Sequence, residues 1–478
     1  MIMRKSIVIV LVLLVLSAVA PFGFGFWADS RLNTLLEDLN ESGLVSFTII
    51  KTSRGWLSTE SVVEVELAGQ LAKAFNKIKQ KEGGGVVENP GVFLRSRIYH
   101  GPIAFMARNP SFIPVVATID SRIVKDISDG AEELVNIDYR FRTDLAIQGG
   151  SKTTLSIPEW SGPVGKGDAV AEWKDAMISF KLSDGLSKTD SRIDIPFFRI
   201  SAANGGMALT GLTLSSEIRP GAEDLPVGDS TVEIKNIEFS DRKTGASFNM
   251  SNLGITANTD IMDGLLDSKA EIKLGKFTLS GEQYGPAVFK LAFRNFNVAS
   301  IARISSKMKE IRQNPDMPQD QMNMMIGATM ISELSNLLQK GPVIEIGELS
   351  LGSSYGKLMG TAMITVDTDR PEMLSNPLLV KDAIIGEVDL EMPEELMVAF
   401  TMATLRKEFK DVNIQYNEDQ LKTMAKARVN KRMSRLVAGN IFNKVGNMFK
   451  FSASIKNGIS RVNGKPFQIP FGGMRPAQ

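Results

Sequence analysis

Thr231-Val232-Glu233-Ile234-Lys235-Asn236-Ile237-Glu238-Phe239 is the stretch whose reading decides the fold. Val232 and Ile234 alternate with Glu233 and Lys235, a period of two that sends apolar groups to one side of a pleated strand and charges to the other. Ile237 and Phe239 continue the pattern one step displaced. The same kind of segment recurs on both sides, as Val92–Ile98, Val115–Ile123, Val135–Ala146, Met177–Leu182, Arg192–Ile200, Met207–Glu217, Leu253–Ala257, Lys269–Thr278 and Val288–Phe296. Turn residues such as Ser183-Asp184-Gly185 and Ala203-Asn204-Gly205-Gly206 separate them. Alternation, as opposed to unbroken apolar runs, implies antiparallel sheet with one apolar and one polar face.

Further out, Val45, Phe47 and Ile49 alternate before a turn at Arg54-Gly55, and Ser61–Leu67 answers as the second strand of a hairpin. A short helix is expected over 70–81, ending in Gly83-Gly84-Gly85. Helical periodicity takes over at Val298–Arg312, Gln319–Lys340, from Pro393 to about Phe409, and at Glu418–Ala438, with Pro393 expected at the first helical position ahead of Glu394 and Glu395. Strands Val343–Leu351, Leu358–Val366 and Ala383–Leu390 lie between these passages. The chain closes with Met448–Ile455 and Ile459–Val462, bounded by Asn457-Gly458 and Asn463-Gly464, the strongest short hairpin signal.

The N-terminus carries a different message. Ile7 to Trp27 holds no charge, follows Arg4 and Lys5, and is 21 residues long. About 20 apolar residues span a hydrocarbon core of ~30 Å. Ile7, Leu11 and Leu14 would lie in the core and Trp27 at the far headgroup layer, with the N-terminus cytoplasmic and the rest exported. A cleaved signal peptide ending at Ala18-Val19-Ala20 is the competing reading. Pro21 would make that scissile bond a tertiary amide of fixed φ, which favours retention.

The expected organisation is therefore α+β: an N-terminal transmembrane helix, then a long, mostly antiparallel sheet covered on one face by helix pairs. Its segments are an anchor (1–28), a strand-rich region (29–296), a helical passage (297–340), strands (341–391), a second helical passage (392–440) and a closing hairpin (441–478).

Zero cysteines rule out disulfides, zinc–thiolate sites and a thiol nucleophile. His100 is the single histidine, ahead of a Gly101-Pro102 turn. A triad or an imidazole metal site would have to use it, and fixing that turn is its ordinary role. Neither a phosphate-cradling G-x-x-x-x-G-K-[ST] loop nor an H-E-x-x-H helix is present. The net charge of +1 hides a segregation: after Asp419 there is no acid, while twelve Lys and Arg follow. Such a tail meets either an anionic surface or the acidic body of its own chain.

Ser53-Arg54-Gly55-Trp56-Leu57-Ser58-Thr59, Tyr99-His100-Gly101-Pro102, Val343-Ile344-Glu345-Ile346 after Gly341-Pro342, and Asn457-Gly458 with Asn463-Gly464-Lys465 form an ordered set. In that order the chain resembles the YdgA-like family of Gram-negative envelope proteins of unknown function. The first 65 residues are also similar, more loosely, to the start of AsmA-like envelope proteins, which are associated with lipid movement and outer-membrane assembly. The resemblance implies a single inner-membrane pass with the body in the periplasm, and supplies no catalytic residues.

Four candidate sites follow. Arg54, Gly55 and Trp56 form a binding element or, the expected role, a turn with Trp56 packed behind it. Methionine is dense in the helices, with 23 in the chain. Met322, Met325, Met330 and Leu334, with Met397 and Met402, are candidates for an apolar groove, their ordinary role being to fill uneven gaps. Arg428, Lys431, Arg432 and Arg435 are candidates for contact with an anionic surface, on a helix whose stripe Leu421, Ala425, Val429, Met433 equally suits packing. His100, Gly101 and Pro102 complete the set. The expected function is non-enzymatic handling of lipids or outer-membrane precursors on an apolar sheet face, without a cofactor. The expected partners are the inner membrane and anionic lipid or lipopolysaccharide. A second copy of the chain is a further candidate, and nucleic acid is not expected. A carboxylate-based hydrolase and a scaffold acting through strand edges are the alternatives.

Overall fold

The computed structural model describes residues 45–68, 91–101, 115–124, 138–163, 168–184, 187–243, 245–279, 282–313, 318–374, 379–411 and 417–467, with isolated positions between 28 and 40 and at 72, 76 and 376. Strand dominates, the ladders are antiparallel, and a few helices interrupt them. Two compact units result: Met1–Arg199 with Leu212–Pro220 and Ser306–Met322, and Ile200–Gly211 with Gly221–Ser305 and Asn323–Gln478.

In the first unit, β1 (Val45–Arg54), β2 (Ser58–Leu67), β3 (Gly91–His100), β4 (Val115–Val124), β5 (Arg140–Ala146) and β6 (Ser151–Ile157) pair in chain order. The small hairpin of β7 (Trp160–Pro163) and β8 (Val170–Lys174) follows, and β9 (Ala176–Leu182) returns to pair with β6 and with β10 (Thr189–Ala202). Ala28, Leu32, Leu36 and Asn40 are helical, four residues apart on one helix face. Ala28 and Leu32 pack on Ile98, Val116, Ala117, Ile119 and Leu145. Asn40 closes the helix against β1: its side chain accepts from the Phe47 N–H (2.7 Å) and donates to the Phe47 carbonyl (3.0 Å).

The chain continues through β11 (Gly205–Pro220). Then come β12 (Pro226–Asp241), β13 (Ala246–Met262), β14 (Leu265–Leu279), β15 (Glu282–Asn297), α1 (Val298–Gln313), α2 (Gln319–Leu338), β16 (Val343–Ser353), β17 (Gly356–Val366) and β18 (Ile384–Pro393), all of the second unit except Ser306–Met322 of α1 and α2. Helices α3 (Glu394–Asp411) and α4 (Glu418–Ala438) follow, then β19 (Asn443–Val445), β20 (Met448–Lys456), β21 (Ile459–Val462) and β22 (Lys465–Pro466). Strands β12 to β18 pair consecutively, β18 pairs with β20, and β21 and β22 extend the sheet beyond it. The core joins Val398 and Leu405 of α3 to Leu421, Ala425, Val429 and Met433 of α4 over Phe449 of β20. Each such aliphatic side chain stabilises by about 1.5–3 kcal/mol on burial.

Several expectations change. Strands β6, β7 and β8 have no clear alternation and are set by pairing with neighbours. Strand β13 extends far beyond Leu253–Ala257 because its polar residues occupy the solvent face. Pro393 is not the first helical residue: it still pairs with Met448 as the end of β18, and the helix opens at Glu394, whose N–H bonds Asn447 O. Ala72 and Asn76 are helical as expected, and the rest of 70–81 lies outside the described residues. Both Asn-Gly pairs form two-residue turns with all four φ angles positive. Among the described residues no helix is long and apolar enough to cross a membrane. The expected span with Ile7, Leu11, Leu14 and Trp27 lies outside them.

Candidate apolar binding surface

Residues directly opposite in a ladder share a face of the sheet, so register gives the lateral rows of the second unit. One row runs Ala270, Leu291, Ile346, Ala362, Val388, Ala453 from β14 to β20. It continues through Val462 and ends in Lys465, both in the closing hairpin. Ile272, Phe289, Leu349, Gly360, Leu390 and Phe451 line one side of it. Phe293, Ile344, Ile364, Gly386 and Ile455 line the other. Every member before Lys465 is apolar or glycine, yet Ile272, Ile344, Ile364 and Val388 are each about 40% exposed. The glycines keep this floor level: a Cβ at Gly386 would come within 3.1 Å of Ile455, and one at Gly360 within 3.1 Å of Leu390.

The opposite face is polar and self-neutralised. Lys290 bonds Glu348 at 2.9 Å and Lys273 bonds Glu271 at 2.8 Å. The lysines hold Glu271 and Glu348 below the usual carboxylate range, and Glu348 raises Lys290. A concavity of about 640 Å³ on this side is lined by Lys269, Glu271, Lys290, Arg294 and Glu345 among others, acids and bases balancing.

The residues expected to form a methionine groove lie on two helices, α2 and α3. Met397 and Met402 pack against the core between α3 and α4. Met322, Met325 and Leu334 are half-buried on α2, and Met330 is exposed. The apolar surface is the sheet itself. No sequence signal announced Ala362, Gly360 or Gly386, which acquire meaning only through register.

Helix α4 packs its apolar stripe inward. A capping box starts it, the Asn417 side chain accepting from the Gln420 N–H at 2.7 Å and the Gln420 side chain accepting from the Asn417 N–H. Arg428 donates to Glu408 on α3, Lys426 pairs with Glu395, Lys444 with Glu394 and Lys450 with Glu391. Lys431, Arg432 and Arg435 are exposed.

In the first unit, the two short motifs meet. Gly55 N–H bonds Ser58 O (2.8 Å), and His100 N–H bonds Leu57 O (3.0 Å). The His100 ring Nε2 hydrogen-bonds Thr59 Oγ1 at 2.9 Å, both side chains buried. His100 therefore pins the start of β2 to the end of β3. Gly101 takes φ +115°, a region open to glycine alone, and bonds Val116 O. Pro102 lies outside the described residues. Trp56 does not pack behind the turn: it is 56% exposed at the hairpin tip. Arg54, half-exposed, precedes it.

Beside them a polar network crosses β4 and β5. Arg142 donates to both Asp144 oxygens, and Thr118, which Arg142 also reaches, donates to Asp144 at 2.7 Å. Burial pushes Asp120 up, against the pull of Arg142. Among the described residues no three His, Cys, Asp or Glu side chains are grouped to hold a metal.

No curated protein and no solved structure matches the chain. The family described as "Bacterial protein of unknown function (DUF945)" matches residues 3–470, nearly its whole length. The chain belongs to that bacterial family of unknown function.

Proposed function

We propose that this is a non-enzymatic binding protein for long-chain amphiphiles, tethered in the inner membrane by residues 7–27 with its body in the periplasm. The observation that carries this reading is the apolar furrow of the second unit, a band of apolar register rows across one face of its sheet. It crosses six strands from β14 to β20. At ~4.8 Å per strand that is about 24 Å, longer than the ~15 Å that one leaflet's acyl chains occupy in a core of ~30 Å. The furrow floor offers no hydrogen-bonding side chain, so its occupant is hydrocarbon. Lys465, two strands beyond Ala453 in the same register row and past the buried Val462, gives the occupant a polarity, with an anionic headgroup toward β22 and the chain toward β14. The YdgA-like and AsmA-like resemblances support the envelope placement. The strand-edge alternative is weakened at β1, where Asn40 already occupies both backbone groups of Phe47.

Native mass spectrometry of the full-length chain, delipidated and then offered phosphatidylglycerol, tests the proposal. One retained lipid per chain supports it. A clean apo mass at saturating lipid sinks it.

A further inference from the structure

The end of the first unit at which the chain enters exposes apolar side chains at two of its turns. The β1–β2 turn and the β5–β6 turn lie there together, because Ser58 pairs with Tyr99 near the end of β3, and Val115 at the start of β4 pairs with Ala146. Trp56 is 56%, Leu57 43% and Ile147 36% exposed. The next turn over, between β9 and β10, carries Asp184 and Lys188, and the apolar patch stops at it.

The entry point is fixed by the helix through Ala28, Leu32, Leu36 and Asn40. Ala28 belongs to the cluster of Ile98, Val116, Ala117, Ile119 and Leu145, in the turn-proximal part of β3, β4 and β5. Asn40 instead bonds Phe47, eight residues before Gly55 and so about 26 Å from the turn at ~3.3 Å per residue. The helix thus runs away from the turns, and its first described residue, Ala28, is already fully buried in the sheet. Trp27, expected at the headgroup layer, immediately precedes it, which leaves no linker between a spanning segment and the folded body.

Starting from the tether of the proposed function, on which this rests, we infer that the first unit is seated on the outer leaflet of the inner membrane by its β1–β2 and β5–β6 turns, with Trp56, Leu57 and Ile147 inserted at the headgroup layer. A bilayer surface is the occupant because the chain itself delivers these turns to it, and because an exposed Trp beside aliphatic residues suits a layer that is apolar on one side and wet on the other. The expected packing of Trp56 is replaced by this role. The Arg54-Gly55 turn holds the ring at the tip, and the His100–Thr59 bond holds the turn to the sheet.

The cysteine-free chain allows one thiol at a time to carry a polarity-sensitive fluorophore. Leu57→Cys, Ile147→Cys and Arg140→Cys are labelled in the full-length chain and reconstituted in phosphatidylethanolamine–phosphatidylglycerol liposomes containing brominated lipid. Arg140 is exposed at the other end of β5, seven residues or about 24 Å from Ile147. Bromine should quench the labels at 57 and 147 by roughly twofold, as expected at the headgroup layer, and leave the label at 140 at its value in unbrominated lipid. Labels at 57 and 147 that respond no more than the label at 140 overturn the inference, as does quenching confined to 140. Neither result bears on the furrow, whose lipid is read by mass.

Discussion

A negative charge on the furrow floor should abolish most of its affinity while barely touching the fold. Val388 sits on β18 between Ala362 and Ala453 and is 38% exposed. Val388→Asp therefore gives up only part of a valine's burial, about 1 kcal/mol. A bound chain would have to leave β18 and the gaps to both neighbouring strands, clearing ~10 Å of furrow. That stretch holds roughly eight methylenes, each covered on one side and contributing about 0.4 kcal/mol, half the ~0.8 of full burial. The loss is about 3 kcal/mol, or two orders of magnitude in Kd. Thr361→Asp is the control: it neighbours Ala362 in β17 but points to the polar face, opposite Asp389, and both are exposed. Titration of the amphipol-held chain with a fluorescent long-chain fatty acid reads both variants, with thermal unfolding in parallel. Equal affinities for Val388→Asp and wild type, or an equal loss in Thr361→Asp, would refute the reasoning.

Two predictions concern stability. Arg303 forks onto Glu333 (2.7 and 2.6 Å) and lowers its pKa from 4.5 to about 2. The shift is nominally about 3.4 kcal/mol, but Arg303 is 52% exposed, and solvent screening leaves about 1 kcal/mol. Because the folded pKa is depressed, this contribution is full above pH ~4.5 and lost as pH falls toward 2. Glu333→Gln should thus lower Tm at pH 7 and match wild type near pH 2, and a gap that persists in acid contradicts this. Asn463 holds φ +48° while its side chain donates to Asn440 O and Ile441 O and accepts from Ser452 N–H. Asn463→Ala should cost about 2 kcal/mol in denaturant unfolding, and Asn457→Ala, a turn position at φ +55° alone, about 1 kcal/mol or less.

Strands with clean alternation were legible because a half-buried sheet writes its two faces into the sequence at period two. Ser151–Ile157 was not: Lys152, Thr153 and Thr154 mix polarity, and β6 exists because β5 and β9 flank it. The two turns of the closing hairpin were legible, since Asn-Gly is the pair that tolerates two consecutive positive φ angles. The furrow was illegible for a different reason. Ala362, Val388 and Ala453 are far apart in the chain, and only the register of two ladders makes them neighbours. Methionine density pointed to the helices as the groove; of its residues, Met397 and Met402 pack against the α3–α4 core, the ordinary gap-filling use of a flexible side chain.

The acid-free tail resolves into two populations with different consequences. Lys426, Arg428, Lys444 and Lys450 meet Glu395, Glu408, Glu394 and Glu391, so for them segregation along the chain is undone by folding. These exposed pairs add at most about 1 kcal/mol each, too little to account for removing every acid from the last 59 residues. Lys422, Lys431, Arg432 and Arg435 on α4, Lys456 on β20, Arg461 on β21 and Lys465 on β22 stay exposed. A field screened over ~8 Å at physiological salt acts only locally, so these cations matter for an anion brought to the second unit's own surface. The apolar row that ends at Lys465 is what would bring it there. Under the proposed function, the exposed charge and the apolar furrow receive the two ends of one ligand.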